Sequence, residues 1–582
     1  MLNKLKLLSF IFVYVSQIGS IFSQKNDFNW LCGYAGGKGD PKFGVTVLDF
    51  HKGNMELRFD PKITMYLLNT NSVISDFDGN LMLYSNGDLL YNSEDQSISG
   101  AEDLNKVVSD RGNGLDYASL LLNKPGTLQE YLLFYPFDTV YRIDSFSGGV
   151  STLGLQYATV MIDINDRQGK LIERDRYIHR DTTQGHGYSA CRHANGRDWW
   201  ILEAEKPPSK GIYKILIDPN GPHIVDKQQF PNYITSGVSQ TCFSPDGNYY
   251  LHYSLFSYKV GGFLNLFKFD RCSGYLERIF EYHFDQLSIY GGACFSPDSK
   301  KIYYCNSSAL YQINLINPDP WESKILIDSI NLVPRGGMSY SFFNNAPDGK
   351  IYIGTGYTQP FLHVIHKPNL IGTACEVVRS GISLQNFNAS TPNFPHFRLG
   401  PIDGSSCDTL GIDNIPWCWW RYNQDTSNHL CFEFTDLSAY EVAEWYWDYS
   451  DGTQSRDTSP IHCFPKNGVY EVCLIVKNIN GADTLCRTLN IGTTGIKEVN
   501  LGEIKIDLFP NPVHDNLIIN LIDYIPERMD VQLINLQGSM ILKQRIFQGS
   551  NVMNVEELVE GVYLLNVFEQ GLLIKSEKLI KY

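Results

Sequence analysis

The chain has 582 residues, a formal net charge of −15 and 13 cysteines. That length leaves room for several domains, and the charge argues against a nucleic-acid binder, which needs a basic face. An aromatic share of 13% together with 49 glycines favours β-sheet joined by many tight turns.

Lys4 and Lys6 precede an apolar run from Leu7 to Phe22, and Ser23 before Gln24 supplies a small residue for cleavage. This is the pattern of a secretory signal peptide over residues 1–23. Ser16, Gln17, Gly19 and Ser20 break the run, which is too short for a retained anchor. With no later apolar run of about eighteen residues, the mature chain is expected to have no transmembrane segment, to lie outside the cytoplasm and to form disulfides. An odd number of cysteines leaves at least one thiol unpaired, and no Cys-x-x-Cys pair points to zinc.

One short turn then recurs. Phe243-Ser-Pro-Asp-Gly-Asn-Tyr-Tyr-Leu251 returns as Phe295-Ser-Pro-Asp-Ser-Lys-Lys-Ile-Tyr303 and Asn345-Ala-Pro-Asp-Gly-Lys-Ile-Tyr-Ile353, with a looser copy at His193-Ala-Asn-Gly-Arg-Asp-Trp-Trp-Ile201. The turn residues Asn195, Asp246, Asp298 and Asp348 lie 51, 52 and 50 residues apart. A period near fifty residues, each unit holding a polar turn followed by aromatic and β-branched residues, is that of a β-propeller blade. A further strand repeats as Val140–Asp144, Ile212–Ile215, Leu266–Asp270, Leu310–Asn314 and Leu362–Ile365, each alternating apolar and polar residues. Less regular units surround Asp76–Leu83 and Leu132–Val140, which makes six. A seventh is expected where residues 27–50 combine with Phe394–Gly400 to close the ring, with a six-bladed ring as the alternative. The propeller is placed at residues 24–403. Cys242 and Cys294 precede equivalent turns in adjoining units and suit small buried core positions as well as a bridge. Residues 193–200, Phe269–Cys272 and Leu399–Gly404 give this part a resemblance to WD40-like or YVTN-like propellers, a family that implies an architecture rather than a chemistry.

After a turn-rich boundary at Pro401–Gly411, strands alternate through Cys431–Ser438 and Tyr470–Asn478, as in an immunoglobulin-like sandwich. Trp445-Tyr-Trp-Asp-Tyr-Ser-Asp-Gly452 resembles the Trp-x-Phe-Gly-Asp-Gly signature of PKD domains, on Trp445, Trp447, Asp448, Asp451 and Gly452. His462, Gly468 and Tyr470 match the downstream half of that pattern, and Ser450 departs from it where the family has glycine. The resemblance implies an extracellular spacer, adhesion or binding module within residues 404–494.

The last segment, residues 495–582, opens with Ile504-Lys-Ile-Asp-Leu-Phe-Pro-Asn-Pro-Val513. Prolines on both sides of Asn511 remove two backbone donors, so this opening is expected at an edge or in a loop. Pro510, Asn511 and Pro512, Gly538 in Leu536-Gln-Gly538, Gly561 and Tyr563 in Gly561-Val-Tyr-Leu564, and the basic ending Lys575–Lys581 resemble the type A C-terminal sorting domain of the type IX secretion system. The resemblance implies a small β-sandwich that addresses the chain to that machinery in a Gram-negative bacterium, through the periplasm to the cell surface or the medium, and that is commonly removed after transport. The whole chain is thus expected to be all-β.

Signatures of chemistry are sparse. There is no His-Glu-x-x-His, no Gly-x-Ser-x-Gly and no phosphate-binding glycine loop, so no cofactor is expected. Gly185-His-Gly-Tyr-Ser-Ala-Cys-Arg-His193 gathers two histidines, a serine and a cysteine, but it leads into a blade, where packing and turn capping are the expectation. His363 and His366, three apart in a strand, face opposite sides. Asp163–Gly169 has oxygen donors but not the full set of a calcium loop, so a polar turn is expected. Arg180, Arg192, Arg197, Arg335 and Arg398 would serve a carboxylate clamp if gathered, and surface positions are expected instead. The reading that follows is a secreted or surface-bound non-enzymatic protein binding a glycan or protein. The alternative is an extracellular hydrolase of glycans or peptides with its site at the mouth of the ring.

Overall fold

The computed structural model describes residues 25–582 except 34–42, 61, 68–69, 103, 105–114, 116, 143–147, 164–166, 184–186, 207–209, 232–237, 258–260, 285–289, 332–337, 357, 389–390, 493–504, 523–528, 536–539, 547–548, 557 and 570–571. The expected signal peptide lies outside the described residues. Among them the regular structure is all β apart from two short 3-10 turns, Trp321–Ser323 and Gly372–Cys375.

Seven antiparallel sheets follow one another along the chain, spanning residues 29–60, 72–92, 120–179, 190–229, 238–284, 292–329 and 343–388. The first two have three strands and the rest four, each a simple meander. The repeated turn joins the first two strands of its sheet. In the fifth, Gly247 N–H donates to Ser244 O at 2.8 Å, while Asp246 Oδ1 accepts from Asn248 N–H at 3.1 Å. The residue after the acidic or amide position must take a positive φ: 76° at Gly196, 72° at Gly247, 75° at Gly349, and 59° at Ser299, where the repeat lacks its glycine.

Each sheet packs on the next through an apolar seam. Leu31 and Val47 meet Val73 and Tyr84 between the first and second sheets, and Ile74, Leu132 and Ile201 share one cluster across the second to fourth. Trp200 meets Phe267, Leu251 meets Ile302, and Cys294 and Tyr303 meet Ile351. The seventh sheet returns to the first through Leu362, Val364 and Leu384 against Trp30, Leu48 and Phe50. The seams close a seven-bladed propeller.

Two expectations are corrected. The first sheet is built from Asn29–Gly33, Val45–Lys52 and Asn54–Asp60, without residues 394–400. Val140–Arg142 is no separate strand but the end of a long one, Glu130–Arg142, whose hairpin with Gly148–Ile162 carries on past the usual blade length.

Residues 391–400 instead run where the innermost strands converge. Thr391 Oγ1 lies 3.0 Å from Tyr117 OH, and Asn393 N–H donates to Asn71 O at 2.7 Å in a parallel bridge with Ser72. The Asn393 amide donates to Ser119 O and Tyr188 O at 3.2 and 2.8 Å. Phe394 packs on Trp30 and Phe397 on Trp199. Pro395 has no donor for a ladder, which suits an axial strut better than a sheet. The segment leaves the ring on the face of the repeated turns, where the buried Arg271 guanidinium holds Arg192 O and Gly400 O and a disulfide joins Cys272 to Cys407.

The following sandwich pairs a three-stranded sheet with a four-stranded one and buries Trp420, Phe434, Trp447 and Val472. It rests on the same face of the ring. Arg421 Nε donates to Asp348 O at 2.6 Å, Asn54 Nδ2 to Tyr422 O at 2.8 Å, and the Arg487 guanidinium to Lys52 O. Trp417 stacks on Trp419, which meets Phe28 at 5.2 Å. The last unit, again three strands against four, encloses its own core of Leu517, Val531, Leu565 and Val567. Thirteen cysteines resolve into three disulfides, Cys272–Cys407, Cys431–Cys463 and Cys473–Cys486, and seven free thiols, so far more than one is left over. Cys242 and Cys294 are among the free ones.

Candidate functional site

The channel of a propeller is where residues from several blades meet, and here the chain itself occupies it. Beside the strut, among the described residues, lies a cavity of about 60 Å³ lined by Asp27, Gln240, Cys242, Cys294, Asn344 and His396 among others. Asp27 is taken: Arg398 donates to both its oxygens at 2.7 Å. Burial, with Arg398 and Arg271 nearby, pushes the His396 imidazole down to about 3, so it is neutral at ordinary pH. Burial likewise raises the Cys242 and Cys294 thiols, Cys242 to about 12, which leaves them unreactive.

A histidine–carboxylate pair does occur, away from the axis. His179 Nε2 lies 2.6 Å from Glu203 Oε2, both groups almost fully buried between the third and fourth sheets. No local pattern announced it, since its members sit 24 residues apart on different blades.

The other candidates separate. His186 and Arg335 lie outside the described residues. His193 caps its own turn, with Nε2 on Cys272 O at 3.0 Å and Nδ1 accepting Asn195 N–H at 3.0 Å, while Cys191 is buried. Asp163 closes a polar turn with Arg167 and Gln168. His363 is fully buried, bonded to Ser339 O and Ser380 N–H. The arginines do not converge: Arg180 lies over Tyr177, Arg192 over Trp199, Arg197 pairs with Asp198 and Arg398 with Asp27. Arg192 and Arg398 are interior groups, which corrects the expectation that these arginines are on the surface; each is retained because it meets an aromatic face or a carboxylate.

In the sandwich, the signature residues build a turn. Trp447 is fully buried, its indole N–H on Asp457 O at 3.0 Å, and Trp445 donates to Asp436 at 2.8 Å. Asp448 accepts from Ser450 N–H, and Asp451 accepts from Thr453 and from His462 Nε2 at 2.8 Å. His462 stacks on Tyr449 at 3.8 Å. Gly452 has φ 92°, and Ser450 takes a positive φ of 54° with its hydroxyl on Glu471 O at 2.7 Å. Gly468 opens the strand Gly468–Asn478 beside the Tyr470 ring, whose hydroxyl donates to Lys466 O.

In the last unit, the peptides before Pro510 and Pro512 are both cis. The Asn511 amide donates to Lys578 O at 2.7 Å and accepts from Ile580 N–H at 3.0 Å. Val513 N–H then donates to Ile580 O at 2.8 Å. The opening is thus a loop fastened to the strand Leu572–Lys581, which carries the basic ending. Gly561 starts the strand Gly561–Glu569, and Tyr563 OH donates to Val559 O at 2.8 Å. Gly538 lies outside the described residues.

These features define a multi-unit, all-β protein. Residues 422–492 match the model of the PKD domain, and residues 507–582 match that of the secretion system C-terminal sorting domain. The chain is therefore addressed to type IX secretion, for export to the cell surface or extracellular space of a Gram-negative bacterium. No helix among the described residues is long and apolar enough to cross a membrane. A curated relative, the collagenase ColQ1 of Bacillus cereus, is 32% identical over 63 residues, 11% of this chain. The chain spans 6% of that relative's length. Among solved structures, the PKD1 domain of the Vibrio cholerae metalloprotease PrtV is 22% identical, with 14% of this chain and 99% of that chain covered and a TM-score of 0.13. A putative 6-phosphogluconolactonase of Bacteroides uniformis is 14% identical, with 63% of this chain and 99% of that chain covered and a TM-score of 0.37.

Proposed function

We propose that the protein is a non-enzymatic surface or secreted binding protein, in which the propeller recognises a glycan or another protein. The observation that carries this reading is the strut at residues 391–400, which crosses the inner ends of the sheets through the bonds of Asn393 to Asn71, Ser119 and Tyr188. The cavity beside it among the described residues, about 60 Å³, is far below the roughly 300–1,000 Å³ of a small-molecule site. A partner would then meet the outer rim of the ring, on the face away from the repeated turns, because the sandwich rests on the other one. In this reading residues 24–403 are the recognition unit, 404–494 a firmly seated spacer, and 495–582 an address read by the secretion machinery through Asn511 and its neighbours. The test is a glycan array and a panel of purified surface proteins probed with chain 24–582, each hit followed by titration calorimetry. Saturable binding that leaves the ligand intact supports the reading; conversion of the ligand during the titration refutes it.

A second reading, an extracellular hydrolase, draws on the His179–Glu203 pair, since a buried imidazole–carboxylate contact is the kind that acid–base chemistry uses. Turnover abolished by Glu203→Gln would establish it.

A further inference from the structure

His179 ends the outermost strand of the third sheet, Gly169–His179, at the face of the ring away from the sandwich. Its ring stacks on Tyr213 of the fourth sheet, centroids 4.6 Å apart and planes 12° from parallel. Nε2 sits 2.6 Å from Glu203 Oε2, and the backbone N–H of Asp181 points at Nδ1 from 3.4 Å. An N–H can approach only a bare ring nitrogen, so this arrangement fits the neutral imidazole, with Nε2–H donating to Glu203 and Nδ1 accepting. Glu203 is 3% exposed, and its Oε1 has no hydrogen-bond partner among the described residues, which makes His179 the donor that carboxylate depends on.

The surroundings are charged from every side. Glu203 lies on the strand Trp199–Ala204, with Glu205 just beyond it. Tyr213 lies on Gly211–Asp218, Lys227 on Gly221–Gln229, and Arg180 and Asp181 on the segment leaving His179. Tyr213 OH donates to the Asp181 carboxylate and lies 3.5 Å from Glu205, which also accepts from Lys227 Nζ at 3.0 Å. Arg180 is drawn off over the Tyr177 ring. Three carboxylates thus face the imidazole against one nearby ammonium.

We propose that His179 is a proton-operated switch for the backbone at Asp181 on the open face of the ring. In the neutral state Nδ1 holds the Asp181 N–H to the third blade, while Lys206 N–H on Thr182 O at 3.2 Å and the Thr183–Glu205 bridge hold the next residues to the fourth. When Nδ1 takes one proton from solvent, both ring nitrogens become donors. The bond to Glu203 gains a full charge and tightens the seam between the third and fourth blades. The Asp181 N–H then faces another donor and turns away, loosening the exposed backbone at Arg180 and Asp181. Acid therefore clamps the seam while it releases the segment, and alkali reverses both. Burial works against the charged imidazole, but Glu203, Asp181 and Glu205 outweigh it and lift its pKa above the ordinary histidine value.

The test is hydrogen–deuterium exchange of chain 24–582 from about pH 5.5 to 8.5, corrected for intrinsic exchange and read on the peptide spanning residues 177–183. Protection in the wild type should fall severalfold as the pH drops. His179→Gln, which cannot titrate, should flatten the response, and Glu203→Gln should move its midpoint to lower pH. Protection that is independent of pH in the wild type overturns the proposal, as does an unchanged pH response in His179→Gln. Should that variant fail to fold, an unmoved midpoint in Glu203→Gln overturns it equally.

Discussion

Arg398 grips Asp27 across 371 residues of sequence, one guanidinium nitrogen on each carboxylate oxygen at 2.7 Å. The pair ties the end of the axial strut to the segment that starts the first blade, and its side chains are only 11% and 4% exposed. Removing one member of a buried pair strands the other charge, at a cost of about 3–5 kcal/mol. Asp27→Asn should therefore lower the unfolding midpoint of the ring by several degrees in calorimetry. A midpoint equal to wild type would show that the ring closes without this contact.

Acid should weaken the ring through His363. Its Nε2–H donates to Ser339 O and its Nδ1 accepts from Ser380 N–H, contacts that only the neutral imidazole can make. Burial, the leading cause, pushes its pKa down to about 4. The unfolded chain binds a proton near pH 6.5 and the folded one does not until about pH 4, so stability is lost as the pH falls between them. At roughly 1.4 kcal/mol per unit the full loss is on the order of 3 kcal/mol. Denaturant unfolding at pH 7 and pH 4.5 should show a smaller difference for His363→Gln than for wild type.

Ser450 stands where the PKD signature has glycine, and its φ of 54° explains why glycine is usual there. Ser450→Gly relaxes the backbone but loses the bond to Glu471 O, so the two effects should nearly cancel, within about 1 kcal/mol. Ser450→Val, which adds a branched Cβ at that angle, should destabilise the sandwich by about 2 kcal/mol. Equal midpoints for the two variants in thermal unfolding would contradict this account.

Export should depend on Asn511. Its side chain makes the two bonds that fasten the opening loop to the strand Leu572–Lys581. Asn511→Ala should leave the propeller folded while the chain accumulates in the periplasm, as should a chain ending at residue 506. Fractionation with immunoblotting checks both, and undiminished surface or medium levels for either would contradict the assigned role.

The turns of the propeller were legible because each is local. Asp246, Asp298 and Asp348 shape their hairpins with neighbours at most a few residues away, so the period survives in the sequence. The strut was not legible. Phe394-Pro-His-Phe-Arg-Leu-Gly400 alternates like a strand, and only the contacts of the preceding Asn393 with Asn71, Ser119 and Tyr188 show that it runs across the inner ends of several sheets instead of pairing within one. Val140–Arg142 misled for a related reason: alternation marks a strand but not which strand it continues. The signatures at Trp447 and Asn511 were readable because short-range turn chemistry fixes them. His179 and Glu203 were invisible because the blades alone bring them together.

The claim that the propeller binds without catalysis is tested most directly by incubating chain 24–582 with polysaccharides and surface-protein digests and analysing the products by mass spectrometry. Ligand should be recovered intact at every incubation time, including any glycan or surface protein that chain 24–582 binds. Products that accumulate with time and vanish in Glu203→Gln would contradict it, and would place chemistry at the seam between the third and fourth blades.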